Sequence, residues 1–316
     1  MRKVYLSLTG GLGNQLFQVA AAVSIADGGD VEIEWVNSRP RLNHFQKPEI
    51  SDFILPINVA FQKPHKYQVL NSKSVGYLLR SGIEPKKFEK FKLYGKVTAV
   101  LTSLINVTTF KRFIKIYVNQ GVGYSQGKQL KNRSSLHLVG YFQTYKWSEG
   151  TESRSYFKNL TVKEKSPQLL ELIKLAAKEE PLIVHMRFGD YRLENTFGLL
   201  TPKYYRESIR ELWNSGKFKS VWVFSDEITQ AQKYLEDMEI ADFRFISDVA
   251  NSSSQTLEAM RFGKGYVIGN SSFSWWAART AYSDRVPVIA PSPWFIGQNE
   301  PIDLIPQNWM RRMGHE

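Results

Sequence analysis

The sequence predicts an α/β protein built from two domains. Through the second half of the chain, short apolar strands alternate with helical stretches, and this rhythm is typical of a parallel sheet wound by crossover helices. The chain also opens with a strand, a glycine-rich turn and a helix. Its 316 residues are 42% hydrophobic and 23% charged, which is sufficient for two globular cores.

The elements are predicted in the following order. The first half gives a strand at 3–8, a helix at about 14–26, a strand at 31–36, a mostly helical basic segment at about 60–133, and a strand at 136–142. A polar stretch at 146–166 predicts the linker that separates a domain at 1–150 from a domain at 151–316. The second domain is predicted to have helices at about 167–179, 202–214, 228–238, 254–263 and 272–282, and strands at 182–187, 221–224, 243–246, 265–268 and 286–289.

Composition excludes several kinds of chemistry. The chain has no cysteine, so it has no disulfide, no thiolate metal site and no cysteine nucleophile, and this suits a reducing compartment. We see neither a signal peptide nor an apolar stretch long enough to span a bilayer. We therefore expect a cytoplasmic protein, either free or peripheral on the inner face of the cytoplasmic membrane.

The net charge of +12 is concentrated in one segment. Residues 60–133 hold 15 Lys and Arg against two Glu, and the rest of the chain sums to −1. Aromatic residues such as Phe88, Tyr94 and Phe113 lie among these cations. Such a composition suits an anionic membrane surface, or RNA with bases stacked on the aromatics, or simply a solvated helical face. The sequence alone leaves all three open.

Unusual polar residues follow the predicted strand at 182–187. In a strand, His185 and Arg187 point to the same side and can converge on one ligand. The guanidinium of an arginine that leaves an apolar strand fits phosphate oxygens. The alternative is an ion pair between Arg187 and Asp190 that closes the end of the strand.

Two further groups follow later strands. Ser225 and Asp226 offer a carboxylate to a ribose or a base edge, or act as an ordinary helix cap. The other group provides hydroxyls and amides at a predicted helix start, which suits a pyrophosphate. The alternative is a capping motif next to two core tryptophans. This group consists of Asn270, Ser271, Ser272, Phe273 and Ser274.

The glycine-rich turn after the first strand matches neither a dinucleotide fingerprint nor a P-loop. Gly11 and Gly13 allow a close backbone approach, and they place Asn14 and Gln15 at a helix start; a plain tight turn is the alternative. The histidines have no zinc-site spacing, and the Asp-x-Asp pattern of metal-dependent nucleotide-sugar enzymes is missing. We expect neither a metal nor a cofactor.

Four motifs together resemble the alpha-1,2-fucosyltransferases of glycosyltransferase family eleven. They are Gly-Gly-Leu-Gly-Asn-Gln-Leu-Phe-Gln from position 10, His-Met-Arg-Phe-Gly-Asp-Tyr from 185, Val-Phe-Ser-Asp-Glu from 223, and Asn-Ser-Ser-Phe-Ser-Trp-Trp-Ala-Ala from 270. The strand end Gly-Tyr-Phe-Gln at 140–143 is similar to that family too. The resemblance spans 10–278 and leaves out the basic segment and the linker.

The resemblance implies a GT-B-like architecture, with two Rossmann-like lobes facing across a cleft. The lobe at 1–150 would face the acceptor and the lobe at 151–316 would hold GDP-fucose. It implies that Arg187 holds the β-phosphate with help from His185, and that Asp190 orients the loop. Asp190 is also a candidate for the base that takes the acceptor proton, although a strongly dissociative transition state needs little help from a base. The remaining donor contacts would come from Asn14, Gln15, Asp226, Glu258, Ser271, Ser272 and Ser274.

One residue departs from the family pattern. Members often carry two adjacent arginines where this chain has Arg187 and Phe188, and we expect Phe188 to pack into the lobe. The activity implied is an inverting, metal-independent transfer of L-fucose from GDP-β-L-fucose to O2 of a terminal galactose. The product would be an alpha-1,2-fucoside of a surface glycan such as an O-antigen, made on a lipid-linked acceptor at an anionic membrane.

Two alternatives remain open at the level of sequence. The enzyme transfers a sugar from another GDP-sugar or forms another linkage, or the chain is a non-catalytic, basic glycan- or RNA-binding protein. The charge sits outside the proposed nucleotide lobe, so we expect no nucleic acid partner.

Overall fold

We describe the protein from a computed structural model. The structure describes residues 2–36, 47–61, 115–119, 135–193, 197–240, 242–297, 299–301 and 303–315. These residues form two compact units, Met1–Asn159 and Leu160–Glu316. Both units are α/β with parallel sheets, so the predicted fold class of two Rossmann-like units is confirmed. That the two lobes face each other across a cleft stays a prediction.

The first unit contains a parallel sheet with strand order β3-β2-β1-β5-β4. Its strands are β1 (Lys3–Leu8), β2 (Asp30–Trp35), β3 (Val59–Phe61), β4 (Lys115–Asn119) and β5 (Ser135–Gly140). Helix α1 (Leu12–Ala26) follows β1, and α2 (Thr151–Lys158) packs against α1. Short 3-10 helices cover Glu49–Asp52 and Tyr145–Ser148.

The first strand and helix lie close to their predicted positions for clear reasons. Val4, Leu6 and Leu8 alternate along β1 and are completely buried. Gly10 then turns the chain at φ +79°, a conformation that favours glycine. The run Ala20, Ala21 and Ala22 lets α1 be buried on nearly all sides.

The basic segment differs from prediction where the structure describes it. Residues Lys115–Asn119 form strand β4, paired in parallel with β5, and not a helix. The alternation of Lys115, Ile116, Tyr117 and Val118 favours a strand, and its β-branched and aromatic residues outweigh the surrounding charge. Apart from these residues and 60–61, the segment lies outside the described residues.

The predicted linker at 146–166 contains helix α2. Contacts with the rest of the first unit hold this helix in place, since Ser153 donates a hydrogen bond to the carbonyl of Ala20 and Phe157 is buried. The division between the units falls after Asn159, nine residues beyond the boundary taken from the sequence. Polar composition indicated a loop, whereas α2 uses only one narrow buried stripe.

The second unit contains a six-stranded parallel sheet with order β11-β10-β9-β6-β7-β8. Its strands are β6 (Leu182–Met186), β7 (Val221–Ser225), β8 (Phe243–Ile246), β9 (Gly265–Val267), β10 (Val288–Ser292) and β11 (Met310–Met313). Its helices are α3 (Pro167–Glu179), α4 (Pro202–Trp213), α5 (Ile228–Leu235), α6 (Ser253–Met260) and α7 (Ser272–Arg279). A 3-10 turn covers Asp190–Leu193. Strand β11 was not predicted, and β10 begins two residues later than predicted.

Local sequence explains where these helices begin. Ser166 caps α3 and Thr201 caps α4, and in each case a proline takes the first helical position, where its missing N–H costs nothing. The central strands β6, β7 and β9 are buried along their whole length, and Val184, Val223 and Val267 belong to the apolar cluster that covers one face of the sheet. No described helix has the length and apolar character needed to cross a bilayer.

Candidate active site

Sheet topology places the candidate site of the second unit. Counted from its own first strand, this sheet has the order 3-2-1-4-5-6 of dinucleotide-binding folds. The direction of winding reverses between β6 and β9, which are paired neighbours. Ligands of such sheets bind beyond the carboxyl ends of the strands at this reversal. Arg187 directly follows β6, and Gly269 to Ser271 follow β9.

Two carboxylates hold the guanidinium of Arg187. Its Nε donates to Oδ1 of Asp190 at 3.0 Å, and a terminal nitrogen lies 3.3 Å from Oδ2 of Asp226. The arginine side chain is 38% exposed. The ion pair considered from sequence is therefore present, and a ligand-facing role is compatible with it because the side chain keeps accessible surface.

His185 lies inside the unit beside this arginine. Its ring packs 5.8 Å from that of Phe273, and its Nδ1 is buried with no hydrogen-bond partner in the described structure. Burial, with a smaller contribution from Arg187, lowers the pKa of His185 to about 3. The imidazole is therefore neutral at pH 7, so any help it gives to a phosphate is through a hydrogen bond and not through charge.

The start of helix α7 contains the serine cluster. Ser271 is its N-cap, and its hydroxyl accepts from the amide of Phe273 at 3.3 Å. Ser274 is completely buried and donates to the carbonyls of Gly269 and Ser271. Ser272 is partly exposed at the first helical position. Because the first amides of a helix have no intrahelical partner, this end offers an anion Ser272 and backbone N–H groups, while Ser274 supports the turn.

Asn270 joins neighbouring loops through hydrogen bonds. Its side-chain amide donates to the carbonyls of Phe197, Gly198 and Trp294, and the residue is 2% exposed. This use of both amide hydrogens leaves none for a ligand. Asn270 therefore holds the loops around the end of β9, and a direct donor contact through its NH2 group finds no support in this geometry.

Tyr191 is a site residue that the candidate set omitted. Its hydroxyl donates to the carbonyl of Asn270 at 3.2 Å, and its ring stacks on Phe197 with centroids 4.8 Å apart. Burial raises the pKa of Tyr191 well above its usual value, so the hydroxyl stays protonated. The signal was present in the sequence, since Tyr191 ends the same motif that supplies Arg187 and Asp190.

Residues at the end of β7 bond to the loop that contains Arg187. Oδ1 of Asp226 accepts from the amide of Phe188 at 3.0 Å, while its other oxygen faces Arg187. The hydroxyl of Ser225, which is 2% exposed, accepts from the amide of Glu227. Phe188 is buried in the apolar cluster, as expected for a position next to a ligand-facing arginine.

Glu258 lies deep inside the second unit with no exposed side-chain surface. One carboxylate oxygen accepts from Arg261 at 2.7 Å, and the other accepts from the hydroxyls of Tyr282 at 2.6 Å and Thr161 at 3.4 Å. A contact between Glu258 and a ribose or guanine would require this network to open. The structure instead gives Glu258 a role in the core.

In the first unit, most of the glycine-rich turn is occupied by its own contacts. Gln15 is fully buried, donates to the carbonyl of Gly10 and accepts from the amide of Ile50, so it cannot reach a ligand without breaking both bonds. The amide of Leu12, at the helix start, donates to the carboxylate of Glu49 at 2.8 Å. An anion is thus already seated at the start of α1.

The glycines of this turn shape the start of α1. The carbonyl of Gly11 accepts from the amides of Asn14 and Gln15, and Gly13 is buried in the first turn. Asn14 is only partly buried, and its side-chain oxygen accepts from Gln143 at 2.8 Å. Of the first-unit candidates, Asn14 is the side chain that remains accessible.

Within the residues that the structure describes, no three His, Asp or Glu side chains are grouped as they would be to hold an ion. The chain has no cysteine to add to such a group.

Comparison with solved structures gives distant likenesses. NodZ alpha-1,6-fucosyltransferase soaked with GDP-fucose is 14% identical, with a TM-score of 0.44, covering 92% of this chain and 95% of that one. POFUT1 in complex with GDP is 14% identical, with a TM-score of 0.45, covering 92% and 97%. A glycosyl transferase family 9 protein from Veillonella parvula is 11% identical, with a TM-score of 0.44, covering 99% and 86%. Likeness at this level bears on neither substrate nor mechanism.

Sequence relatives are more informative. An alpha-1,2-colitosyltransferase of Escherichia coli is 29% identical over 197 residues, which cover 60% of this chain and 66% of that protein, just under two thirds of its length. The O-antigen biosynthesis glycosyltransferase WbnK of Escherichia coli is 22% identical over 318 residues, covering 94% and 96%. The family model described as Glycosyl transferase family 11 matches residues 127–301, which is more than half of the chain and includes the Arg187 loop and the start of α7. The chain belongs to glycosyl transferase family 11.

Proposed function

We propose that this glycosyltransferase moves L-fucose from GDP-β-L-fucose to O2 of a terminal galactose, with inversion and without a metal. The product would be an alpha-1,2-fucoside of a surface glycan. The observation that carries the proposal is the meeting of Arg187 and the start of α7 at the strand-order reversal of the second unit. The relatives named for alpha-1,2 linkage and for O-antigen biosynthesis support it.

The chemistry needs a site that accepts negative charge. As the bond between C1 of the sugar and the β-phosphate oxygen breaks, charge develops on GDP, while the acceptor oxygen attacks C1 from the opposite side and loses its proton. Preorganised donors aimed at the departing oxygen stabilise that transition state without reorganising. Arg187 supplies a fixed positive charge, and the first amides of α7 supply the positive end of the helix dipole.

The neighbouring groups have supporting roles in this proposal. Neutral His185 is available for one hydrogen bond to the diphosphate, and Ser272 for another. Asp190 holds the guanidinium through a 3.0 Å bond, which favours orientation over acceptance of the acceptor proton. Asn14 remains the first-unit candidate for a contact with the donor. No described side chain is assigned as the base.

Arg187→Ala tests the assignment, and Arg192→Ala is its matched control. Arg192 lies on the same loop and pairs with Glu227 at 2.6 Å, but in this structure it pairs with neither of the two aspartates that hold Arg187. Release of GDP from GDP-fucose in the presence of a galactoside should fall by about 10²–10³-fold in Arg187→Ala. It should stay within about threefold in the control, since exposed ion pairs contribute little. Near-normal turnover by folded Arg187→Ala would overturn the proposal.

A second candidate is transfer from a different nucleotide sugar, because one relative is named for colitose and not for fucose. A panel of GDP-sugars with galactoside acceptors, with the linkage of each product read by NMR, separates the candidates. Fucose on O2 of galactose supports the first proposal. Faster transfer of another sugar, or another linkage, supports the second. A chain that only binds glycan or RNA would release no GDP from any donor.

The acceptor and the location of the enzyme are also proposed. We propose that the acceptor is a galactose-terminated, lipid-linked glycan at the inner face of the cytoplasmic membrane, and that residues 63–133 contact anionic lipid. Most of these residues lie outside those the structure describes. Co-sedimentation with anionic liposomes should fall when Lys86, Lys87, Lys90, Lys92 and Lys96 are neutralised. Unchanged binding would contradict the membrane contact.

A further inference from the structure

The turn at the end of β7 is connected to the Arg187 loop at three points. The carboxylate of Asp226 accepts from the amide of Phe188 at 3.0 Å and faces Arg187 at 3.3 Å. One residue further on, Glu227 pairs with Arg192 at 2.6 Å. The loop that leaves β6 is therefore held against its neighbouring strand on both sides of Gly189.

Gly189 adds a steric observation. A Cβ at this position would lie 2.7 Å from Oδ2 of Asp226, which is closer than such atoms approach in proteins. That oxygen is the one that faces Arg187. The absence of a side chain at 189 is thus what lets the carboxylate sit between the loop backbone and the guanidinium.

Both oxygens of Asp226 are engaged by the protein. An aspartate that read a ribose or a guanine would present at least one oxygen to the ligand. Here one oxygen accepts from the amide of Phe188 and the other faces Arg187, so each oxygen already has a protein partner, and the side chain is only 23% exposed.

From these contacts we infer that Asp226 is a positioning residue for Arg187, and that it contacts neither the ribose nor the guanine of the donor. Gly189 is its steric partner. Asp226 would hold the guanidinium where the β-phosphate of the departing GDP arrives. This inference rests on the proposed function, since it takes GDP as the leaving group, and it replaces the ribose or base contact expected from the sequence.

Comparison of GDP with GMP as ligands separates the two roles, because GMP has the guanine and the ribose but no β-phosphate. In Asp226→Asn the amide oxygen still accepts from Phe188, but the ion pair with Arg187 is lost. If Asp226 acts through Arg187, calorimetry should show that the affinity for GMP stays within about twofold of wild type, while the affinity for GDP falls. If Asp226 binds ribose or guanine, both affinities should fall by the same factor, of roughly tenfold or more.

Gly189→Ala is the second variant, and it leaves every charge in place. The added methyl would lie 2.7 Å from Oδ2 of Asp226, so this oxygen, which faces Arg187, or the loop backbone must shift. We expect GDP affinity and kcat to fall by roughly tenfold or more, GMP affinity to stay within about twofold, and KM for the acceptor to stay unchanged. Glu227→Gln is the matched control, because it cuts the exposed pair with Arg192 on the same loop and should leave both nucleotides unaffected.

Three outcomes would overturn the inference. One is an equal loss of GDP and GMP affinity in Asp226→Asn. Another is wild-type behaviour of Gly189→Ala towards both nucleotides and in turnover. The third is a GDP-selective loss of the same size in Glu227→Gln, which would show a general effect of loosening the loop. A wild-type protein that bound neither nucleotide would overturn the proposed function, and the inference with it, so the two failures are distinguishable.

Discussion

Replacing the buried pair of Glu258 and Arg261 should give strongly non-additive losses of stability. Both side chains have no exposed surface, and they are joined at 2.7 Å. Arg261 also donates to the carbonyls of Leu160 and Thr280, and its guanidinium lies 4.2 Å from the ring centroid of Tyr282. Removing one member leaves the other charge buried without its counter-charge, which typically costs about 3–5 kcal/mol.

The double variant measures how strongly Glu258 and Arg261 are coupled. Arg261→Met and Glu258→Met should each lower the free energy of unfolding by about 3–5 kcal/mol. When both charges are removed together, the main remaining loss is that of partners for the two carbonyls, so the double variant should lose only about 1–3 kcal/mol. The coupling energy between the two sites should therefore be several kcal/mol, far above the few tenths expected of independent positions.

Urea unfolding followed by tryptophan fluorescence is a suitable assay. Six of the eight tryptophans lie at or beyond position 213, within the second unit, so the signal reports on the unit that contains the pair. Losses in the double variant equal to the sum of the singles would refute the reasoning. GDP binding by the stable double variant tests Glu258 separately, because a loss of affinity of about tenfold or more there would restore Glu258 as a ligand contact.

Other predictions concern stability and metal dependence. Burial raises the pKa of Glu34 to about 7, so folding favours its protonated form; the associated stability is complete below about pH 4 and is lost as pH rises through 7. Glu34→Gln should therefore stabilise the protein by about 1–2 kcal/mol at pH 8, after allowance for solvent exposure, and hardly at all at pH 4; equal urea midpoint shifts at both pH values would contradict this. In Gly263→Ala the new methyl would lie 2.4 Å from Ile183, so we expect a loss of about 1–3 kcal/mol, compared with about 1 kcal/mol for Gly216→Ala, where nothing is nearby but φ is +70°. Thermal melts that rank these two variants in the opposite order would show that the core around Gly263 yields easily. Transfer activity should survive EDTA, and a loss that added Mg²⁺ or Mn²⁺ restores would exclude the proposed metal-free mechanism.

Much of the fold follows from local patterns. Apolar strands such as β1 and β7, and helices with a capping residue followed by proline such as α3 and α4, were predicted within a residue or two. These signals are contained in a short window, because a strand or a capped helix depends mainly on its own residues. Elements whose stability depends on distant partners were missed: β11 pairs with β10 residues that lie 21 positions earlier in the chain, and α2 packs on α1.

The candidate site divides in the same way. The motif that runs from His185 to Tyr191 and the start of α7 were identifiable because their polar residues follow apolar strands, where parallel sheets bind ligands. Sequence order could not show which of these groups are already taken up by the protein. Gln15, Asn270, Ser274 and Glu258 all looked like ligand contacts, and each bonds to atoms within its own unit.

By itself, the sequence determined the α/β class, the concentration of positive charge in one segment, and an arginine placed at the end of a central strand. These depend on composition and on short-range order, which the chain carries whether or not it is folded. Only the tertiary structure decided which polar side chains remain accessible to a ligand and which other residues hold those side chains in position. Burial and hydrogen bonding join residues far apart in the chain, as when Asp226 reaches back 38 positions to the amide of Phe188 and holds Arg187 in place.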